Sequence, residues 1–164
     1  YSECKIKCIK LINKFRKKHN FFIVNAICYN HESIFTPKNH LIRNILKKLK
    51  NKKIKKIQIY NPNDKRNFSH TYDFLPLFDK SMNRNKGEDY VFANSSNISI
   101  KKIVTLLNKK YKKKIDYVLK KNISSSRVAN NKKIIKIFDY KPKYNLKKII
   151  ERMISYQKKK LFIK

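Results

Sequence analysis

Phe21-Phe22-Ile23-Val24-Asn25-Ala26-Ile27-Cys28-Tyr29-Asn30-His31-Glu32-Ser33 decides how the rest of the chain is read. Its opening is short, aromatic and β-branched, the composition of a buried strand. The run then empties into four polar residues. In an open α/β sheet the ligand crevice lies just beyond the carboxyl ends of the strands, so Asn30, His31, Glu32 and Ser33 fall where a ligand would sit. The segment Phe21 to Cys28 is therefore predicted to be a central parallel strand of an α/β fold.

A helix precedes this strand, from about Ser2 to Lys18, and it opens on Tyr1-Ser2-Glu3-Cys4-Lys5. Residues four apart share one helix face, so the Tyr1 phenol and the Lys5 ammonium serve one small volume. A nearby cation favours phenolate, which moves the tyrosine towards exchanging a proton with a substrate hydroxyl. A Tyr-x-x-x-Lys pair also arises by chance in any lysine-rich helix. The strand and polar tail that follow at a helix's length are what single this one out. Cys4, Cys8, Leu11, Ile12 and Phe15 are spaced as a core-facing stripe.

The chain has 164 residues, 43 Lys and Arg against 10 Asp and Glu, and a net charge of +33. Such a balance by itself suggests a nucleic-acid or anionic-membrane partner. The excess is nearly all lysine, however, and travels with abundant Asn, Ile, Tyr and Phe, one Gly and no Trp. These are the products of A/T-rich codons, and the lysines are spread along the whole chain rather than gathered with arginines and aromatics. Coding bias accounts for the charge, and neither a specific nucleic-acid partner nor a membrane partner is expected. Three cysteines form no disulfide framework and suit a reducing, cytoplasmic compartment. Cys4 and Cys8 are read as buried packing, not as half of a metal site, since no second pair completes a zinc spacing. No run is long and apolar enough to span a membrane. The chain opens without Met, so truncation is expected.

Beyond Ser33, Pro37 breaks the loop and an amphipathic helix follows with Leu41, Ile42, Ile45, Leu46 and Leu49 inward. Ile57 to Tyr60 alternates as a half-exposed strand, and Asn61-Pro62-Asn63-Asp64 is a turn. A helix starts near Thr71 or Tyr72, where Pro76 is tolerable if it falls in the first turn. Asp89 to Ala93 is a strand, Ser99 caps a helix, and Ile115 to Leu119 is a further strand. A loop at Ser124-Ser125-Ser126, a helix from Lys132 to Phe138, and a last helix from Leu146 to about Lys159 complete the order. No internal repeat is present.

Four stretches together resemble one family: Tyr1 and Lys5; Asn30-His31-Glu32-Ser33; Lys65-Arg66-Asn67-Phe68-Ser69-His70-Thr71-Tyr72-Asp73-Phe74-Leu75; and Phe138-Asp139-Tyr140-Lys141-Pro142. They are similar to the extended short-chain dehydrogenase/reductases that act on nucleotide-sugars, most of all the GDP-mannose 4,6-dehydratases, and only to the second half of such an enzyme. The resemblance implies the carboxy-terminal part of a Rossmann-like fold with a small substrate-binding lobe. It implies one partial domain over 1–164: residues 1–33 supply Rossmann helix and strand, and 34–164 are mainly substrate lobe with returning Rossmann elements.

Implied activity is NADP-dependent (or NAD-dependent) 4,6-dehydration of a nucleotide-diphosphate sugar. Tyr1 would be the acid/base; Tyr1 and Lys5, with His31 and Glu32, would meet the cofactor. Asn30, Arg43, Arg66 and Arg127 would meet the substrate, the arginines at its diphosphate, because guanidinium forks match phosphate oxygens. Expected partners are the missing amino-terminal half and, as one open assembly, further copies of the chain. Ile34-Phe35-Thr36 stands for the family's Pro-Arg-Arg, Asn67 for an Asp, Ser69 for a Gly, Asn44 for a Lys and Tyr60 for a Gly; these bear on guanine specificity. The glycine-rich turn and the dehydration residues fall upstream of Tyr1, so this chain alone is expected to be inactive. A 4-epimerase or reductase of the same family, a non-catalytic remnant, and a basic nucleic-acid-binding module are the alternatives.

Overall fold

The computed structural model describes residues 1–120 and 126–159; Ser124 and Ser125 of the serine-rich loop lie outside them. In chain order the elements are α1 (Ser2–His19), β1 (Asn25–Cys28), β2 (His31–Glu32), α2 (Leu41–Lys50), β3 (Lys56–Tyr60), β4 (Lys65–Asn67), β5 (Ser69–His70), α3 (Thr71–Met82), β6 (Asp89–Phe92), β7 (Asn97–Ser99), α4 (Ile100–Asn108), β8 (Lys114–Val118), α5 (Lys132–Phe138) and α6 (Leu146–Lys159). Three strand pairs are parallel: β1 with β6, β2 with β5, and β3 with β8. Among the described residues only β4 and β7 pair antiparallel. Parallel neighbours joined through helices are the mark of an α/β fold.

Two cores hold these layers. The larger packs Ile42, Leu46 and Leu49 of α2 and Ile57 of β3 against Ile103 and Leu107 of α4 and Ile149 of α6. Each such side chain is worth about 1.5–3 kcal/mol of burial. The smaller gathers Phe74 and Leu77 of α3, Tyr90 and Phe92 of β6, and Ile134 and Phe138 of α5, with Val24 and Ala26 packed against it. The stripes of α2, α4 and α6 and the alternation of β3 follow the sequence periodicity. Ser99 caps α4 as expected, its hydroxyl accepting the Lys102 N–H at 3.2 Å.

Four local expectations are corrected. Strand β1 begins at Asn25, and Phe21 and Phe22 are exposed; Phe21 instead stacks on Phe15 of α1, ring centroids 5.8 Å apart. Among the described residues β1 is bonded on one side only, to β6, so within this chain it is an edge strand and not a central one. The stripe on α1 is not a core face: no residue of α1 is buried, and Cys4, Cys8, Leu11 and Phe15 are all exposed, with only Phe15 met by the Phe21 ring among the ring contacts of the described residues. Pro76 falls in the second turn of α3, where it forgoes a bond to the Tyr72 carbonyl, and its ring is exposed.

Candidate functional site

The carboxyl end of β1 opens into a cleft of about 490 Å³ lined by Ile27, Cys28, Tyr29, Asn30, Arg127 and Val128 among others. It lies beyond a strand end, as the polar tail predicted. The tail is not free loop, however. His31 and Glu32 form β2 on β5, and the Asn30 carbonyl accepts the Ser69 N–H at 2.9 Å.

Asn30 donates its side-chain amide to the Asn67 carbonyl at 3.0 Å, which fixes the plane of the amide at the cleft wall. His31 is exposed, with Nδ1 3.0 Å from the Tyr29 carbonyl. A carbonyl only accepts, so Nδ1 carries the proton and Nε2 of the neutral ring is an acceptor. Glu32 turns inward and is 2% exposed. Burial pushes its carboxyl up to about 7 from an ordinary 4.5, against the opposing pull of the Thr36 hydroxyl and the Arg43 guanidinium. Its Oε2 has no hydrogen-bond partner among the described residues. Arg43 spends itself on the same loop, donating to the Ile34 and Thr36 carbonyls at 3.1 and 2.8 Å. It lines a separate cavity with Lys38, Lys47 and Lys50, not the Asn30 cleft.

Arg66 and Arg127 do come together. Arg127 donates its backbone N–H to the Lys65 carbonyl at 2.9 Å, beside Arg66. The Arg66 guanidinium is held below its ordinary value by burial first and by the facing Arg127 charge as well, with Asp64 opposing. The Arg66 guanidinium is held on its own segment, donating to the Lys65 carbonyl at 2.9 Å and pairing with Asp64 at 3.9 Å, and with Arg127 it gives this region two guanidiniums of the kind that bind anions. Tyr1 and Lys5 share one face as expected, with Lys5 Nζ 5.4 Å from the Tyr1 ring centroid. The pair stands in solvent, Tyr1 being 93% exposed, and does not line the cleft.

Sequence reasoning missed the asparagines that build this site. Asn67, fully buried, donates to the Asn94 and Ser96 carbonyls and to Asn97 Oδ1, and accepts the Asn94 N–H at 2.9 Å. Asn97 Oδ1 in turn accepts the Ala129 N–H at 3.0 Å, and Tyr29 donates its hydroxyl to the Val128 carbonyl at 3.0 Å. The strap from 126 to 131 is thereby tied across the cleft. An aspartate at 67 could not donate to three oxygens, so the departure to Asn is built into this network. In a chain rich in asparagine, nothing in the composition marked these out.

Residues 1–153 match the family model described as GDP-mannose 4,6 dehydratase. The chain belongs to that family. GDP-mannose 4,6 dehydratase of Drosophila melanogaster is 24% identical over 147 residues, 88% of this chain and 37% of that protein. The Homo sapiens GDP-mannose 4,6 dehydratase is 25% identical over 107 residues, covering 63% and 29%. Among solved structures, UDP-glucose 4-epimerase of Thermotoga maritima with UDP-glucose superposes with a TM-score of 0.82 at 14% identity, covering 98% of this chain and 54% of that one. dTDP-glucose 4,6-dehydratase of Bacillus anthracis in complex with NAD gives 0.71 at 21% identity, covering 89% and 47%. The fold is that of the extended short-chain dehydrogenase/reductases. This GDP-mannose 4,6 dehydratase family chain spans about a third of the curated relatives it matches and about half of the solved structures.

Proposed function

We propose that the chain is the substrate-facing half of a nucleotide-sugar 4,6-dehydratase that converts GDP-mannose to GDP-4-keto-6-deoxymannose. The observation that carries the reading is the Arg66 and Arg127 pair beside the Asn30 cleft. In it the two guanidiniums clamp the diphosphate, and the Asn30 amide, its plane fixed by Asn67, orients the hexose. Tyr1 takes and returns the proton of the C4 hydroxyl, and Lys5 one turn on keeps the phenol acidic.

A nicotinamide cofactor, NADP or NAD, would supply hydride acceptance and return. The chain's residues fit the nicotinamide end of it: Tyr1 and Lys5 at the ribose, with the Nε2 acceptor of His31 nearby in sequence at the strand end. They do not fit its diphosphate, since the lone glycine, Gly87, is packed on the Ile23 backbone and offers no cradle. Glu32 faces its own loop and serves by shaping it. The glycine-rich half would join along the uncovered α1 stripe and the free edge of β1.

Calorimetric titration of the chain with GDP-mannose at physiological salt tests the clamp. Arg66→Gln and Arg127→Gln are each expected to weaken binding roughly tenfold, the worth of one charge-assisted bond, while the exposed Lys52→Gln leaves it unchanged. Equal losses in all three would mean that the ligand senses only the general charge, and the reading falls.

A further inference from the structure

Asn30 stands at the end of β1 and Arg127 on the strap from 126 to 131, and among the described residues no hydrogen bond joins the two directly. A pair of facing asparagines joins them instead. Asn67 of β4 and Asn97 of β7 are partners across the antiparallel ladder, where directly opposed side chains meet.

Asn67 is fully buried, and backbone groups fix which way its amide points. Its Oδ1 accepts the Asn94 N–H at 2.9 Å, and its Nδ2 donates to the Asn94 and Ser96 carbonyls at 2.9 and 3.2 Å. The same Nδ2 donates to Asn97 Oδ1 at 3.2 Å, and the Asn67 backbone carbonyl accepts the Asn30 side chain at 3.0 Å. Asn97 passes the link on: Oδ1 accepts the Ala129 N–H at 3.0 Å, and Nδ2 donates to the Ala129 carbonyl at 3.4 Å. Among the described residues the Asn97 amide bonds nothing but Asn67 and Ala129. The backbone N–H of Arg127 is held in turn by the Lys65 carbonyl of β4. The strap is thus anchored to one strand of the ladder at Arg127 and to the other at Ala129.

We propose that Asn67 and Asn97 are positioning residues: Asn67 sets the Asn30 amide and, through Asn97, the strap that carries Arg127. This rests on the reading of Asn30 and Arg127 as substrate contacts. The two amides have different tasks. Asn67 must donate, which a carboxylate cannot do, whereas Asn97 Oδ1 accepts from Asn67 and from the strap, which a carboxylate does as well. One isosteric change therefore has opposite outcomes at two facing positions, and neither lost packing nor an added charge would separate them.

NMR of the ligand-free chain and calorimetric titration with GDP-mannose test it together. Asn67→Asp is expected to speed hydrogen exchange at the Ala129 amide and to move the Asn30 side-chain resonances. Asn97→Asp leaves both close to the parent's, and Asn97→Ala speeds Ala129 exchange roughly fivefold with Asn30 in place. In binding, Asn97→Ala costs roughly fivefold in the parent, nothing further in Arg127→Gln and its full cost in Asn30→Ala, because it acts through the arginine. Should Asn67→Asp fail to fold, Asn97→Ala against Asn97→Asp decides, and equal exchange in those two overturns the proposal. So would equal effects of Asn67→Asp and Asn97→Asp, an Ala129 amide indifferent to Asn97→Ala, or additive losses with Arg127→Gln. If GDP-mannose does not bind the parent, the substrate reading falls, while the ligand-free exchange still decides whether the pair holds Asn30 and the strap.

Discussion

Ionising Glu32 inside the fold is harder than in the unfolded chain, because its burial lifts the carboxyl to about 7 from an ordinary 4.5. A raised folded value places the stability contribution at low pH: it is fully present below about 4.5 and lost as pH rises through about 7, a total of about 3 kcal/mol. Glu32→Gln keeps a neutral amide in the same place and removes this slope. Urea denaturation across that window should show the parent losing stability relative to the variant; a difference independent of pH would refute the assignment. Tyr1 is tested by a different readout. In the complete enzyme, Tyr1→Phe should reduce turnover about a hundred- to ten-thousand-fold while leaving nucleotide-sugar binding nearly intact, since the ring remains and only the proton is lost. Steady-state kinetics with a parallel binding titration decide it, and full activity would end the dehydratase reading.

Between elements, the chain's one glycine marks a close backbone approach. Gly87 precedes β6 and lies on the backbone that leads into β1, where an added Cβ would sit 2.6 Å from the Ile23 carbonyl carbon. Backbone cannot swing aside as a side chain can. Gly87→Ala should therefore cost at least about 1–3 kcal/mol, and a urea midpoint equal to the parent's would show that the two segments separate freely. Arg16 of α1 braces the same junction, donating to the Ile23 carbonyl at 2.8 Å and pairing with Asp89 at 2.7 Å. These contacts were illegible beforehand because they join residues far apart in sequence through backbone atoms. The elements themselves were legible: α2, α4 and α6 bury the residues that their periodicity marked, since a helix exposes whichever face has no partner. On α1 the same rule misled, because a stripe states what should be covered and not whether a cover is there.

Taken as a whole, the molecule carries +33 charges with few acids to offset them, so self-repulsion opposes compaction. Raising ionic strength from about 0.01 M to about 0.15 M shortens the screening length from about 30 Å to about 8 Å. The melting midpoint should rise over that range, and a fall would mean that ion pairs such as Arg16 with Asp89 outweigh the repulsion. The sequence by itself determined the α/β order, the parallel strand that leads into Asn30, the buried faces of α2, α4 and α6 and the family, because these rest on local periodicity and on short motifs carried in one stretch of chain. Only the tertiary structure decided that Arg66 meets Arg127 while Arg43 stays with its own loop, that Glu32 points inward, and that Asn67 holds the cleft. Those outcomes depend on which distant backbone carbonyl each donor reaches, and that distance does not exist until the strands have paired.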